Sequence, residues 1–246
     1  MIRKNIKLIL AYEGTHYLGW QKTAMGPSIE EELEKVLAQI LRHPVKLQAA
    51  SRTDAGVHAE GQVVNFFTEV EIPLERLQKS LNGLLPNDIS VLKIEEAPED
   101  FHPTLGSRGK EYHYSVCLGP TQLPFHRNFS WHFTYPVNIE EMKKAAVHLK
   151  GRHDFSAFTN ERQEDNVREI FDIVIEPYEG RMKIRVSGNN FLYKMVRNIV
   201  GTLLYVGCGK LSEDEIPAIL TSKDRTLAGV TAPAAGLVLR EVFYDQ

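Results

Sequence analysis

Cysteine is scarce. Only Cys117 and Cys208 occur, and neither stands at metal-ligand spacing from another ligand, which argues against a disulfide scaffold or a zinc site. No apolar run reaches membrane-spanning length. Met1-Ile2-Arg3-Lys4-Asn5 leads toward a strand rather than toward the apolar core of a signal sequence, so a soluble, cytoplasmic protein is expected. Gly207-Cys208-Gly209-Lys210 lacks P-loop spacing and has Leu211 where Ser or Thr is needed. No Gly-x-Ser-x-Gly element occurs. Asp54 and His58 could form a general-base pair, yet no Ser or Cys nucleophile accompanies them, which leaves an Asp/His hydrolase as an alternative of lesser weight.

What is present is ordinary globular composition: 43% hydrophobic and 25% charged residues over 246, enough for two modest domains or one large one. The net charge of −3 is unevenly spread. Up to Leu105 there are 11 Lys+Arg against 15 Asp+Glu; from Gly106 onward there are 18 against 17. The acidic residues bunch, as in Glu30-Glu31-Glu32, Glu95-Glu96 and Glu213-Asp214-Glu215, which leaves other surfaces available to be basic.

The first half reads strand, helix, strand, strand, helix, strand. Ile6 to Glu13 alternates. Ser28 with Glu31 marks a helix start, and Ile29, Leu33, Val36, Leu37, Ile40 and Leu41 form one apolar stripe that ends at His43-Pro44. Val45–Ala49 and Gln62–Thr68 read as strands on either side of a loop, Pro73 opens a helix through Leu84, and Ile89–Ile94 is a strand. The second half repeats that order with insertions. It has a strand at Glu111–Val116, an extra one at Phe129–Tyr135, and a helix capped by Asn138. A strand pair flanks the turn Tyr178-Glu179-Gly180, a long helix capped by Asn189 runs to Val206, a short helix lies near Glu213–Leu220, and a last strand spans Leu237–Tyr244. The expectation is an α+β fold of two ferredoxin-like β-α-β-β-α-β halves side by side with a central cleft. The boundary falls near residue 105: residues 1–105 carry the Asp54 loop and 106–246 complete the cleft.

Chemistry-bearing residues concentrate between the two strands of the first half. Ala50-Ser51-Arg52-Thr53-Asp54-Ala55-Gly56-Val57-His58-Ala59 places a cation, a carboxylate, a turn-forming Gly and an imidazole in one loop. Asp54 can serve as nucleophile or base, and Arg52 can hold a phosphate or pair with the carboxylate. The plainer alternative is a surface turn with an ion pair. Tyr12 to Gln21 is a Gly-punctuated aromatic loop that could stack on bases or close a core. Lys194, Arg197 and Gly201 lie at i, i+3 and i+7, a polar stripe on an otherwise apolar helix, which must face water or a partner charge.

Arg52 to Ala59 closely resembles the signature of the bacterial tRNA pseudouridine synthase A family, in which the Asp is the catalytic residue. The family usually has Gly before the Arg, where Ser51 stands here. Tyr12-Glu13-Gly14 with Gly19-Trp20-Gln21 resembles its opening motif, with Glu13 for the usual Asp. Phe101-His102 followed by Lys110 and Tyr112-His113-Tyr114 keeps the family's spacing to a basic residue and its active-site Tyr, while Thr104 stands where the family has Arg. Asn189–Gly201 and Asp224–Leu237 are two further family-like blocks. The resemblance implies a cofactor-free isomerase that converts uridine to pseudouridine in the tRNA anticodon stem-loop, acting as a homodimer whose subunits share one tRNA. It assigns catalysis to Asp54, Arg197 (as partner of the Asp) and Tyr112, and substrate binding to Arg52, Tyr112, Lys110 and Lys194. No metal is expected. The rival class is a non-catalytic RNA-binding module, since such sheets often carry RNA on one face.

Overall fold

The computed structural model describes residues 3–161 and 163–245, so Met1 and Ile2 of the opening stretch lie outside it. The chain runs β1 (Lys4–Tyr12), α1 (Ile29–Leu41), β2 (Gln48–Ala49), β3 (His58–Thr68), α2 (Leu74–Leu84), β4 (Ile89–Ala97), β5 (Ser107–Leu118) and β6 (Trp131–Phe133). It continues through α3 (Ile139–Leu149), β7 (Gly151–Asp154), β8 (Val167–Tyr178), β9 (Arg181–Gly188), α4 (Met195–Gly207), α5 (Ile216–Ser222) and β10 (Leu237–Tyr244). The class is α+β. Two compact units form: residues up to Arg108 with Val238 onward, and Gly109–Leu237. The chain therefore leaves the first unit after Arg108 and returns to it with its last strand.

In the first unit β1 is central to an antiparallel trio, pairing β3 on one side and β4 on the other. The opposite edge of β3 is shared. β2 takes it at Val64 and Asn65, and β10 runs parallel to it at His58 and Ala59. The order β4-β1-β3-β2 is the ferredoxin-like one. Leu8, Leu10, Val64 and Phe66 from the strands and Leu33, Leu37, Leu77 and Leu81 from the helices are buried. Each such side chain contributes about 1.5–3 kcal/mol of burial. Ser28 caps α1 through its Oγ, which accepts from the Glu31 N–H at 3.3 Å. The strand before the Asp54 loop is shorter than its alternation suggests, Gln48–Ala49 only, whereas the strand after it begins at His58 rather than Gln62. The loop is thus more tightly bounded on its C-terminal side.

In the second unit the order is β5-β9-β8-β7, with β6 parallel on β5. Glu179 (φ 45°) and Gly180 (φ 71°) make the two-residue turn between β8 and β9. The short β7 extends the sheet beyond β8 and has no counterpart in the element order read from sequence. The long helix also starts later than Asn189. Lys194 holds a left-handed conformation (φ 59°) at its N-cap, so α4 begins at Met195. Asn189 instead turns its carboxamide on neighbouring backbone, accepting from the Glu169 and Asn190 N–H groups at 3.0 and 2.7 Å. Among the described residues no helix is long and apolar enough to cross a membrane.

Candidate active site

The Asp54 loop is short, and several of its bonds are made through its backbone. The Thr53 carbonyl accepts the Trp20 N–H at 3.0 Å, and the Gly56 N–H reaches the Tyr17 carbonyl at 3.3 Å. The Val57 N–H closes back on the Asp54 carbonyl at 3.1 Å, with Gly56 at φ 77° as the turn requires. Side chains complete the frame from below. Tyr12 Oη and Thr53 Oγ1 share a 2.8 Å bond. The fully buried Gln62 amide brackets Ser51, accepting from its N–H at 3.2 Å and donating to its carbonyl at 2.6 Å. Ser51 has no positive φ, so this backbone makes no demand for glycine there.

The aromatic, Gly-punctuated loop after β1 proves to be the other wall of this frame. A Cβ on Gly14 would lie 2.0 Å from the Val57 carbonyl oxygen, and one on Gly19 (φ 100°) would lie 2.7 Å from that of Thr53. Both glycines are therefore required for close approach. Tyr12, Tyr17 and Trp20 are buried, so they close a core rather than offer open faces to bases. His58 belongs to the same frame. It is buried, and its Nδ1 accepts the Gly14 N–H at 3.0 Å, which puts the ring proton on Nε2 and uses the basic nitrogen for structure. That removes the base from an Asp54/His58 hydrolase pair. Amid this order Asp54 is half-buried and Arg52 is exposed. Thr104, where the family has Arg, donates its hydroxyl to the Ala49 carbonyl at 2.8 Å and so ties the strand that feeds the loop.

The remaining site residues lie in the second unit. Lys110, Tyr112 and Tyr114 occupy successive same-face positions of β5, and all three are buried. Lys110 Nζ donates to Asn190 Oδ1 at 2.9 Å, and burial pulls its pKa down to about 8, with Arg168 adding repulsion. Tyr112 meets Phe191 edge-on, ring centroids 5.3 Å apart. Tyr114 is fully buried and donates to the Pro233 carbonyl at 2.8 Å; burial drives its hydroxyl pKa upward. Lys194 is half-buried at the head of α4, its ammonium 4.8 Å from the Tyr193 ring centroid.

Arg197 is half-buried and donates through Nε to the Ala232 carbonyl at 2.7 Å, while the Ala232 N–H bonds the Arg197 carbonyl at 3.1 Å. The stripe of Lys194, Arg197 and Gly201 is not a solvent edge. A Cβ on Gly201 would lie 1.7 Å from the Val230 carbonyl oxygen, so Gly201 is where the Asp224–Gly236 segment packs on α4. The structure thus gathers Arg52 and Asp54 in the first unit and Lys110, Tyr112, Lys194 and Arg197 in the second.

Several framing residues are given no role by the sequence reading: Gln62, which lies outside the motif blocks, and Thr53, Asn198 and Arg225, which lie within them. The signal for two of them is present, a polar residue at the head of an apolar stretch, as in Gln62-Val63-Val64 and Asn198-Ile199-Val200. Among the described residues no group of three or more His, Cys, Asp or Glu side chains could hold a metal ion.

Comparison with known proteins bears directly on this arrangement. A family model described as tRNA pseudouridine synthase matches residues 8–104 and 145–245, which takes in Arg52, Asp54, Lys194 and Arg197 and leaves Lys110 and Tyr112 outside. The chain is 52% identical over 247 residues to tRNA pseudouridine synthase A 2 of Protochlamydia amoebophila (strain UWE25), covering 98% of this chain and 94% of that protein. It is 45% identical over 243 residues to tRNA pseudouridine synthase A of Thermoanaerobacter sp. (strain X514), covering 98% of this chain and 100% of that protein. The relative from Ruminiclostridium cellulolyticum is likewise 45% identical, over 244 residues, with 98% and 100% covered. With both charged blocks inside the matched regions, the chain belongs to the tRNA pseudouridine synthase family.

Proposed function

We propose that this protein isomerises uridine to pseudouridine in the anticodon stem-loop of tRNA, as a cytoplasmic homodimer, with Asp54 as the reacting carboxylate. The observation that carries the reading is the Asp54 loop itself. One carboxylate is presented from a backbone pinned on both sides, within the stretch that resembles the family signature and that the family model spans. Preorganised geometry of this kind lets a single side chain act with little reorganisation.

The reaction breaks the uracil N1–C1′ bond, turns the base, and joins C5 to C1′. The proton lost from C5 is matched by the one gained at N1, so the sum is an isomerisation with no electron transfer. Asp54 acts at the sugar or the base as nucleophile or as proton acceptor. Glycoside hydrolysis differs in using two carboxylates to activate water. The target nucleotide must leave its stack to be reached. Arg52, exposed beside Asp54, holds its phosphate or fills the space it vacates. Tyr112, buried on β5, orders the sugar through its hydroxyl, Arg197 keeps the carboxylate ionised and oriented, and Lys110 and Lys194 supply positive charge toward RNA.

Unmodified tRNA transcripts incubated with the purified protein and mapped for pseudouridine test this reading. Conversion confined to the anticodon stem-loop is expected. Binding without conversion would instead establish an RNA-binding module, and conversion only elsewhere in tRNA would overturn the stem-loop assignment. Sedimentation of the protein alone and with tRNA tests the homodimer.

A further inference from the structure

The Asp224–Gly236 segment is held on α4 by a buried polar cluster that neither the motif nor the reaction explains. Its centre is Asn198, which has no exposed surface. All four hydrogen-bonding positions of its carboxamide are used. Nδ2 donates to the Phe158 carbonyl at 2.7 Å and to Asn160 Oδ1 at 2.9 Å. Oδ1 accepts from Arg225 Nη2 at 2.8 Å and from Thr231 Oγ1 at 2.6 Å. This pattern fixes the amide's orientation, because a flipped amide would turn its NH2 on the guanidinium. Arg225 also reaches Thr231 Oγ1 at 3.0 Å and the Gly229 carbonyl at 2.8 Å. One turn further along α4, Thr202 Oγ1 donates to the Asn198 carbonyl at 2.7 Å and accepts the Gly229 N–H at 2.9 Å.

Such a cluster is expensive to bury, and every member makes at least one bond, although Arg225 Nε is left without a partner. Its position shows what it controls. Asn198 follows Arg197, and Thr231 precedes Ala232, whose carbonyl anchors Arg197 Nε at 2.7 Å. The helix residue and its acceptor are thus each one residue from the Asn198–Thr231 bond. Gly201 and Gly229 allow the backbones to touch. A Cβ on Gly229 would lie 2.6 Å from Thr202 Cα. Sliding the segment by even 1 Å would carry the Ala232 carbonyl away and release the plane of the guanidinium.

We infer that Asn198, with Arg225 and Thr231, is a positioning device for the reaction: it sets the Asp224–Gly236 segment in register on α4 and so aims Arg197. The inference rests on the proposed role of Arg197. The device acts on turnover through Arg197 and contributes little to tRNA affinity.

The test measures single-turnover rates on unmodified tRNA, tRNA affinity and melting temperature for Asn198→Ala and for Thr231→Val, which keeps volume and removes only the hydroxyl. Each change is made alone and on an Arg197→Ala background. Alone, each should lower the rate per folded molecule by about tenfold to a hundredfold with affinity within about twofold, the range expected for a displaced reacting group. On Arg197→Ala neither should lower the rate further. Rate losses that multiply on that background would overturn the inference, as would wild-type rates for both single variants. Asn198→Ala could fail to fold, in which case Thr231→Val alone decides. Wild-type turnover by Arg197→Ala itself would overturn the role of Arg197 and this inference with it. A crippled Arg197→Ala beside a normal Thr231→Val would overturn only the inference.

Discussion

The Asp54 loop and the Arg197 turn of α4 are both held firmly, but by different means. Around Asp54 the constraint is backbone: carbonyls and N–H groups of Thr53, Gly56 and Val57 bonded to the loop after β1, with Gly14 and Gly19 letting the chains touch. Around Arg197 the constraint is side chain: the buried carboxamide of Asn198 and hydroxyl of Thr202 with the half-buried guanidinium of Arg225 and hydroxyl of Thr231. The first arrangement excludes a Cβ only where two backbones touch: Gly14 has no room for one, whereas Ser51, whose φ is not positive, stands without strain where the family usually has glycine. The second tolerates no loss of a polar partner, because each buried group left unpaired costs about 1–3 kcal/mol.

That contrast makes distinct predictions. Arg197→Ala should lower single-turnover rate by roughly a hundredfold or more while leaving the melting temperature within a few degrees, since Arg197 is only half-buried and opens no core cavity. A large fall in melting temperature with normal turnover per folded molecule would make its role structural. Gly14→Ala should do the reverse in kind, lowering stability by at least about 1–3 kcal/mol because two backbones must part. Chemical denaturation measures this, and an unchanged midpoint would contradict the frame around the Asp54 loop. Tyr12→Phe removes the bond to Thr53 Oγ1 and leaves the Gln62 amide short of a partner at 3.3 Å. A smaller loss of about 1 kcal/mol is expected, with turnover reduced only modestly.

The smallest effect concerns Lys110. Its pKa is lowered from an ordinary 10.5 to about 8 when folded, so below pH 8 it is charged in both states and burial destabilises the fold fully. Between about pH 8 and 10.5 the folded state gives up the proton first, and the penalty shrinks as pH rises. Lys110→Met should therefore be the more stable protein at pH 7, with its advantage over wild type declining across that window. A constant difference from pH 7 to 10.5 would show that Lys110 is not held as described.

Much of this was legible in the sequence because the two periodicities are clean in the first half. The apolar stripe of α1 and the alternation of β1 specify their own elements. The start of α4 was not legible. Asn189 has the chemistry of a cap, yet the left-handed turn at Lys194 is imposed by tertiary structure. The aromatic loop after β1 had two readings, and only packing against Thr53 and Val57 decides between them. Asp54 and Arg197 were singled out through motif; the frames around them were not legible, because hydrogen bonds such as Tyr12 to Thr53 or Asn198 to Thr231 join residues far apart in the chain.

Salt sharpens the RNA side of the account. tRNA affinity should fall steeply with salt, with a log–log slope on the order of several units if several phosphates are contacted, despite the net charge of −3. A flat response would count against Arg52 and Lys194 as phosphate contacts.

The most direct test of the central claim is Asp54→Asn, which keeps the shape of the side chain and removes its ionisable oxygen, compared with Asp54→Ala. The frame around the loop uses the Asp54 backbone, so both variants should fold and bind unmodified tRNA as wild type does. Neither should form pseudouridine in a single-turnover assay run beside a binding titration at fixed salt. Turnover near the wild-type rate by either variant would contradict the assignment of the chemistry to Asp54.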